Sequence, residues 1–391
     1  MKVLMVAPEP IFEPRGTPLS VVGRLKALSD MHHRVDLVTY SMGQEVVLPG
    51  LRILRILRIP GIRKVKVGPS FTKIPLDLCL FVLMIFRLSK ESYDIIHTHE
   101  EAGFWGVVLS RIFRIPHIYD MHSSLPQQLE NFKFTKSKIL INIFKWLERW
   151  VLTCADGIIT ICPDLNEHVE SVCPKKCSVV IENVVDYGMI FGTNDRPSEI
   201  RSMLNLEGKI VLLYTGTFEP YQGLDLLIQS ASIVVKKDPS ILFLMVGGHP
   251  TQVAIYQEKV RGRNLEDFFI FTGQVPPQDV NSYIQCANIL LSPRNSGTNT
   301  PLKIYSYLRS GIAIVATRLL THTQVLNDNV AVLTEPTSEA FAEGILSVAS
   351  DKHLAKRIGR KAMDLAEENY SYRVYLKKLA AVIQQVTKGR T

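Results

Sequence analysis

The chain has no G-x-x-x-x-G-K-[ST], which argues against a P-loop nucleotide hydrolase, and no G-x-G-x-x-G, which argues against a dinucleotide oxidoreductase. It has no G-x-S-x-G nucleophile elbow. Asp-x-Asp is also missing, which removes the simplest carboxylate clamp for a metal-bound diphosphate. The longest apolar run, Leu78 to Phe86, is too short to cross hydrocarbon, which takes ~20 residues. The apolar start, Met1 to Ala7, stops at Pro8 without a cleavage pattern, so the expected compartment is the cytoplasm. The six cysteines are not expected to form disulfides there. Cys173 and Cys177 form a lone C-x3-C with no second pair to complete a zinc site. The 23 glycines and 21 prolines are dispersed, which excludes collagen-like and low-complexity chains.

What is present is ordinary globular material: 391 residues, 46% apolar and 21% charged, enough for two or three domains. The net charge of +8 suggests an anionic partner, whether nucleic acid, a phosphorylated small molecule or a membrane surface. Strand-like and helix-like segments alternate throughout: strand 2–7, helix 18–31, strand 34–40, then short apolar runs at 94–99, 117–120 and 157–161 separated by helices 102–113 and 138–154. The rhythm restarts after Asp186, past a polar, turn-rich stretch, 187–201, that is the best linker candidate. The expectation is an α/β fold of two Rossmann-like, doubly wound domains facing across a cleft: 1–187 and 188–371. Ligands of such sheets bind beyond the carboxyl ends of the strands, so residues just after each strand are the candidates.

The most informative cluster follows a strand ending at Ser292: Arg294, Gly297, Thr298, Asn299 and Thr300, then Pro301 and Lys303. Thr300 is a good N-cap and Pro301 a good first helical residue. A helix start offers free N–H groups and roughly half a positive charge, so with Arg294 and Lys303 it makes an anion site suited to a diphosphate. Otherwise the loop only turns the chain and both cations are solvated. A second strand-to-helix loop holds Gly216, Thr217 and Gln222, with Gly216 permitting close backbone approach and the polar pair able to donate to phosphate oxygens. In the first half, Glu13-Pro14-Arg15-Gly16 follows the first strand, and Gly16 and Arg15 fit a phosphate or an acceptor by the same logic. His122, past a strand end, is a candidate polar contact for a reacting sugar, against the commoner structural role of a single histidine. His97 and His99 share a strand face at metal-ligand spacing, with no third ligand apparent.

Residues 51–66 carry Arg52, Arg55, Arg58, Arg63, Lys64 and Lys66 among Leu and Ile. Lys133, Lys136, Lys138 and Lys145 follow later in a stretch rich in Phe, Ile and Trp. Basic and apolar residues interleaved suit the surface of an anionic membrane. An arginine-bearing edge strand explains the pattern as well, its charges blunting aggregation. Nucleic acid is disfavoured, with 8% aromatic residues and no recognised binding motif.

The chain resembles the retaining glycosyltransferases of family four, of GT-B fold. The resemblance is carried by Gly16-Thr17-Pro18, Asp94-Ile95-Ile96-His97-Thr98-His99, Tyr119-Asp120-Met121-His122, Ala155-Asp156-Gly157 and Glu182-Asn183. In the second half it is carried by Thr215-Gly216-Thr217, Gln222-Gly223-Leu224, Phe271-Thr272-Gly273 and the run from Pro301 to Gly311. It implies transfer of a sugar from a nucleotide-sugar, UDP- or GDP-linked, to a hydroxyl of a lipid-linked or polysaccharide acceptor, with retention and no metal or other cofactor. The donor would lie on the second domain, its diphosphate at Arg294 and Lys303, and His122 would stand near the donor sugar. The last helix, about 372–391, would pack back on the first domain. Two departures stand out: Thr298 and Ser306 occupy the places of a usual pair of glutamates eight positions apart, and Thr217 and Gln222 replace the usual Arg and Lys. They leave open a catalytically lapsed protein that binds a sugar nucleotide or partners an active transferase. A sugar-nucleotide epimerase of the same fold is a third reading.

Overall fold

The computed structural model describes residues 1–12, 16–62, 65, 70–126, 137–174, 176–185 and 187–388. It divides into two compact units: Met1–Val185 with Tyr372–Thr391, and Asp186–Ser371. Both are doubly wound parallel α/β domains, the class that the alternating rhythm implies.

The first unit is built on β1 (Lys2–Ala7), β2 (Arg34–Thr39), β3 (Leu51–Arg55), β4 (Ile95–His99), β5 (His117–Met121), β6 (Gly157–Thr160) and β7 (Ser178–Val180). The strands lie in the order β3-β2-β1-β4-β5-β6-β7, every pairing parallel. β4, β5 and β6 are buried along their whole length, which explains their unbroken apolar character: helices cover both faces of a parallel sheet. Strand order reverses between β1 and β4, so the ends of those strands flank the ligand position of this architecture. The C-terminal helix Tyr372–Lys388 packs on β6 and β7 with Tyr375, Leu379 and Val382 buried, and Lys378 pairs with Glu182 at 2.6 Å.

The basic segment after residue 50 begins as the edge strand β3. Arg52 donates to Asp36 at 2.8 Å and to Glu91 at 3.0 Å. Arg55 donates to Glu45 at 3.1 Å and to the Gln44 carbonyl at 2.8 Å. These two arginines are engaged within the fold; Arg63, Lys64 and Lys66 lie outside the described residues, as do Lys133 and Lys136. The apolar run Leu78–Phe86 is the middle of a helix, Lys73–Lys90, whose row Leu76, Leu80, Met84 and Leu88 is buried. That spacing of four is the inner face of a helix against the sheet.

The second unit holds β8 (Ile210–Gly216), β9 (Ile241–Gly247), β10 (Phe269–Gly273), β11 (Ile289–Ser292), β12 (Ala313–Thr317) and β13 (Val332–Thr334). Their order is β10-β9-β8-β11-β12-β13, and it reverses between β8 and β11. The turn-rich stretch 187–201 holds the short helix Tyr187–Phe191 and the start of another, Pro197–Met203, the latter held by Arg196–Asp279.

The helix after β11 is Lys303–Ser310, capped at its carboxyl end by Gly311 at φ 70°. It packs on the helix Lys352–Asn369, where Gly359 lies so close that a methyl there would fall 2.0 Å from the Gly311 carbonyl oxygen. Backbone cannot yield as a flexible side chain does. Gly359→Ala is therefore expected to lower the unfolding free energy by about 1–3 kcal/mol, read by denaturant titration, because overpacking must push the two helices apart.

Candidate active site

The two strands flanking the reversal of the second sheet end in loops that converge. After β8, Gly216 takes φ 135°, and Pro220–Gln222 forms a single 3-10 turn into Gly223 at φ 76°. After β11, the loop Pro293 to Thr300 turns at Gly297, φ 112°. These conformations are costly for residues with a Cβ. The loops touch: Asn295 N–H donates to the Tyr221 carbonyl at 3.2 Å, and a methyl at Gly223 would strike the Pro293 carbonyl oxygen at 1.8 Å.

Arg294 and Lys303 are brought together here. The Lys303 Nζ is buried 3.6 Å from the centre of the Tyr214 ring, a cation–π contact, and accepts no compensation from any oxygen among the described residues. Arg294 lies 5.0 Å over the Tyr221 ring; its Nη1 donates to the Asn299 carbonyl and to the Thr321 hydroxyl, each at 2.6 Å, and its Nε has no partner among the described residues. No carboxylate pairs with either cation among the described residues. Burial, with Arg294 adding repulsion, holds the Lys303 ammonium well below the usual lysine range. Burial also lowers Arg294. The Gln222 Oε1 and Thr300 Oγ1 are buried and unpartnered among the described residues as well.

The helix starts later than expected. Thr300 is not its cap and Pro301 not its first residue: Leu302 caps it and Lys303 opens it, while Pro301 and Leu302 carbonyls accept single-turn bonds from Ile304 and Tyr305. Pro301 favours the bend, but the tight turn delays the α-helix by two residues. Lys303 is thus placed at the first helical position. Thr298 is exposed, its carbonyl accepting from Gln324, and Ser306 faces Arg309 at 3.4 Å. Thr217 uses its carbonyl to accept from Tyr214 at 2.7 Å.

Several contributors were not singled out from sequence. Tyr214 and Tyr221 form the faces under the cations. Thr317 and Thr321 buttress the loop through the carbonyls of Arg294 and Asn299, both at 2.6 Å. His322 bridges Ser292 at 2.8 Å and the Thr317 carbonyl at 2.8 Å; burial pushes it down to about 3, so it is neutral, donating from Nδ1 and accepting at Nε2. The available signal was their position after β12, at the same sheet edge.

In the first unit, β4 and β5 present His97, His99, Asp120 and, just past the strand, His122. All four are buried. Asp120 accepts from Arg24 Nε at 2.7 Å and from His97 at 3.2 Å, and Arg24 also reaches the Ile181 carbonyl at 3.1 Å. Burial alone would raise Asp120, but Arg24 and the histidines hold it well below the carboxylate range. His122 Nε2 lies 2.9 Å from His99 Nδ1 and 3.5 Å from Asp120, and burial pushes it down to about 4, so it offers polarity without charge at neutral pH. The structure supplies the third ligand type that the sequence did not reveal: His97, His99 and Asp120 place ligand atoms within 4.8 Å of one another. Arg24 already neutralises that carboxylate, which makes the set a buried ion-pair network. Gly16 opens the helix Gly16–Asp30; Glu13, Pro14 and Arg15 lie outside the described residues.

Two family models match in tandem: Glycosyltransferase Family 4 over residues 16–188 and Glycosyl transferases group 1 over 195–364. The chain belongs to the family-four glycosyltransferases. Among curated relatives of this transferase, D-inositol 3-phosphate glycosyltransferase of Kribbella flavida is 23% identical over 90% of the chain and 86% of the relative. Alpha-monoglucosyldiacylglycerol synthase of Streptococcus pneumoniae is 24% identical over 74% and 67%. Sucrose-phosphate synthase of Thermosynechococcus elongatus shares the transferase's fold with a TM-score of 0.78, 18% identity and 99% of both chains covered. HepE of Anabaena, solved with UDP-glucose, gives 0.74 at 17% identity over 98% of this chain and 99% of that one.

The buried lysine sets a pH signature on the transferase. Its folded-state affinity for a proton is depressed, so folding penalises the charged form at every pH below the ordinary lysine value and the penalty fades as pH rises toward that value. Lys303→Met is therefore expected to melt higher than wild type at neutral pH without ligand, with the difference shrinking as pH is raised toward about 10; thermal melts across pH read it.

Proposed function

We propose that the chain moves a sugar from a UDP- or GDP-linked donor to a hydroxyl of a glycan or lipid-linked acceptor, with retention at the anomeric carbon and without a metal. The observation that carries this reading is the pair Arg294 and Lys303, two cations with no counter-ion among the described residues at the reversal point of a doubly wound sheet. A diphosphate bears the charge they lack. Its negative charge grows as the sugar leaves, so donors already in place favour the transition state over the bound ground state. The Gln222 and Thr300 oxygens, unpartnered among the described residues, give further polar positions at the same loops. With the leaving diphosphate able to take the acceptor proton, no carboxylate base is needed. His122, neutral and anchored through His99, is suited to hydrogen-bonding a sugar hydroxyl. HepE binds UDP and UDP-glucose in its solved complexes, and one relative by name makes a glucosylated diacylglycerol.

A second reading is favoured by Thr298 and Ser306, which stand where the family usually places glutamates: a lapsed protein that binds a sugar nucleotide or partners an active transferase. Incubation with UDP-, GDP- and ADP-sugars and an acceptor extract separates the two. Transfer predicts nucleotide release from one donor, unchanged by EDTA, and lowered on the order of a hundredfold in Arg294→Ala and in Lys303→Ala with folding intact. No release with any donor favours the lapsed protein; wild-type rates in both variants remove the site from the reaction.

A further inference from the structure

In the first unit the connections β3 to β4, β4 to β5 and β5 to β6 all advance in one direction across the sheet. Right-handed crossovers therefore place their helices, Lys73–Lys90, Ala102–Phe113 and Lys138–Cys154, on one side of it. They pack side by side as a layer. The outer surface of this layer is unusual in two independent ways.

The first is its apolar exposure. On the helix Lys73–Lys90 the outer row Ile74, Leu78, Val82 and Phe86 runs opposite the buried row, with Leu78 58% and Val82 59% exposed. That row, from Ile74 to Phe86, runs about 18 Å along the helix. On Lys138–Cys154 the outer face shows Ile139, Ile143 and Trp146, the last 64% exposed, lining a shallow depression with Asn142. Contiguous apolar surface of this kind marks a contact with something else.

The second is charge. Not one acidic residue of these three helices is exposed: Asp77 is half-buried, and Glu148 is turned inward to the Leu125 N–H at 3.1 Å and to His168 at 2.8 Å. Every exposed charge on them is cationic: Lys90, Arg111, Lys138, Lys145 and Arg149. A tryptophan and aliphatic side chains among lysines and arginines, without acids, are what the interface of an anionic bilayer selects. A protein partner of mixed surface charge imposes no such one-signed rule.

We propose that the outer side of this three-helix layer docks on an anionic lipid bilayer, the apolar rows entering the headgroup boundary and the cations facing lipid phosphates. The layer lies on the membrane and does not enter it. Its inner rows are built into the core, and no helix among the described residues is long and apolar enough to cross. The surface differs from the segment 52–66 that the sequence pattern points to, where Arg52 and Arg55 are tied into the fold. It also stands independently of the transfer reaction.

The test is flotation of the full chain with vesicles of phosphatidylcholine alone or mixed with phosphatidylglycerol, with light scattering on the free protein. Wild type is expected to float with the mixed vesicles and poorly with the neutral ones. Lys138→Glu with Arg149→Glu, both exposed positions, should cut the bound fraction on the order of tenfold. Leu78→Ser with Trp146→Ser should cut it at unchanged melting temperature. Equal flotation of wild type and both variants, or no flotation of wild type, overturns the proposal. So does a dimer in solution that the Leu78/Trp146 variant dissociates, since a second copy would then cover the face.

Discussion

A lysine ammonium buried against a tyrosine ring, with an arginine beside it and no carboxylate among the described residues to answer either, is the feature on which the second unit turns. Removing a charge from water without a partner is among the largest local costs a fold can carry. Here the surroundings enforce it. Gly216 and Gly297 bring backbone in close, Thr317 and Thr321 tie down the loop, and Gly311 against Gly359 holds the helix that carries the lysine. A scaffold so firmly braced around an unmet pair of charges is organised for an anion that arrives from outside. This is the preorganisation by which electrostatic stabilisation avoids reorganisation at the moment of reaction.

The first unit solves its own charge problem internally. Arg24 and Asp120 pair in the core, and the three histidines around the carboxylate are arranged by it. His122 is held by hydrogen bonds on a rigid strand end. The contrast between the units is instructive: similar burial produces a closed network where opposite charges meet and an open demand where only cations do.

Much of this was legible in the residues. The βαβ rhythm gave the fold class because parallel strands buried on both faces read as short apolar runs, as in Ile95–Ile96 and Ile158–Ile159. Arg294 and Lys303 were visible because they follow a strand and open a helix. The start of that helix was not: Thr300 and Pro301 have the residue types of a cap and first turn, but a tight turn through Leu302 took precedence. The edge strand β3 stood beside a basic membrane patch as a reading of residues 51–66, and only Asp36, Glu91 and Glu45 beside Arg52 and Arg55 separate the two. Long-range partners such as Tyr214 under Lys303, or Asp120 between His97 and Arg24, leave no local trace, since tertiary packing alone creates them.

The central claim is that burial weakens the hold of Lys303 on its proton until an anion arrives to answer the charge, and proton uptake on binding measures that directly. Calorimetric titration of UDP in buffers of differing ionisation enthalpy, across a pH series in which UDP itself stays fully ionised, should show wild type taking up more protons per nucleotide bound than Lys303→Met. Equal uptake by the two proteins, or binding that is indifferent to the substitution, would contradict the account.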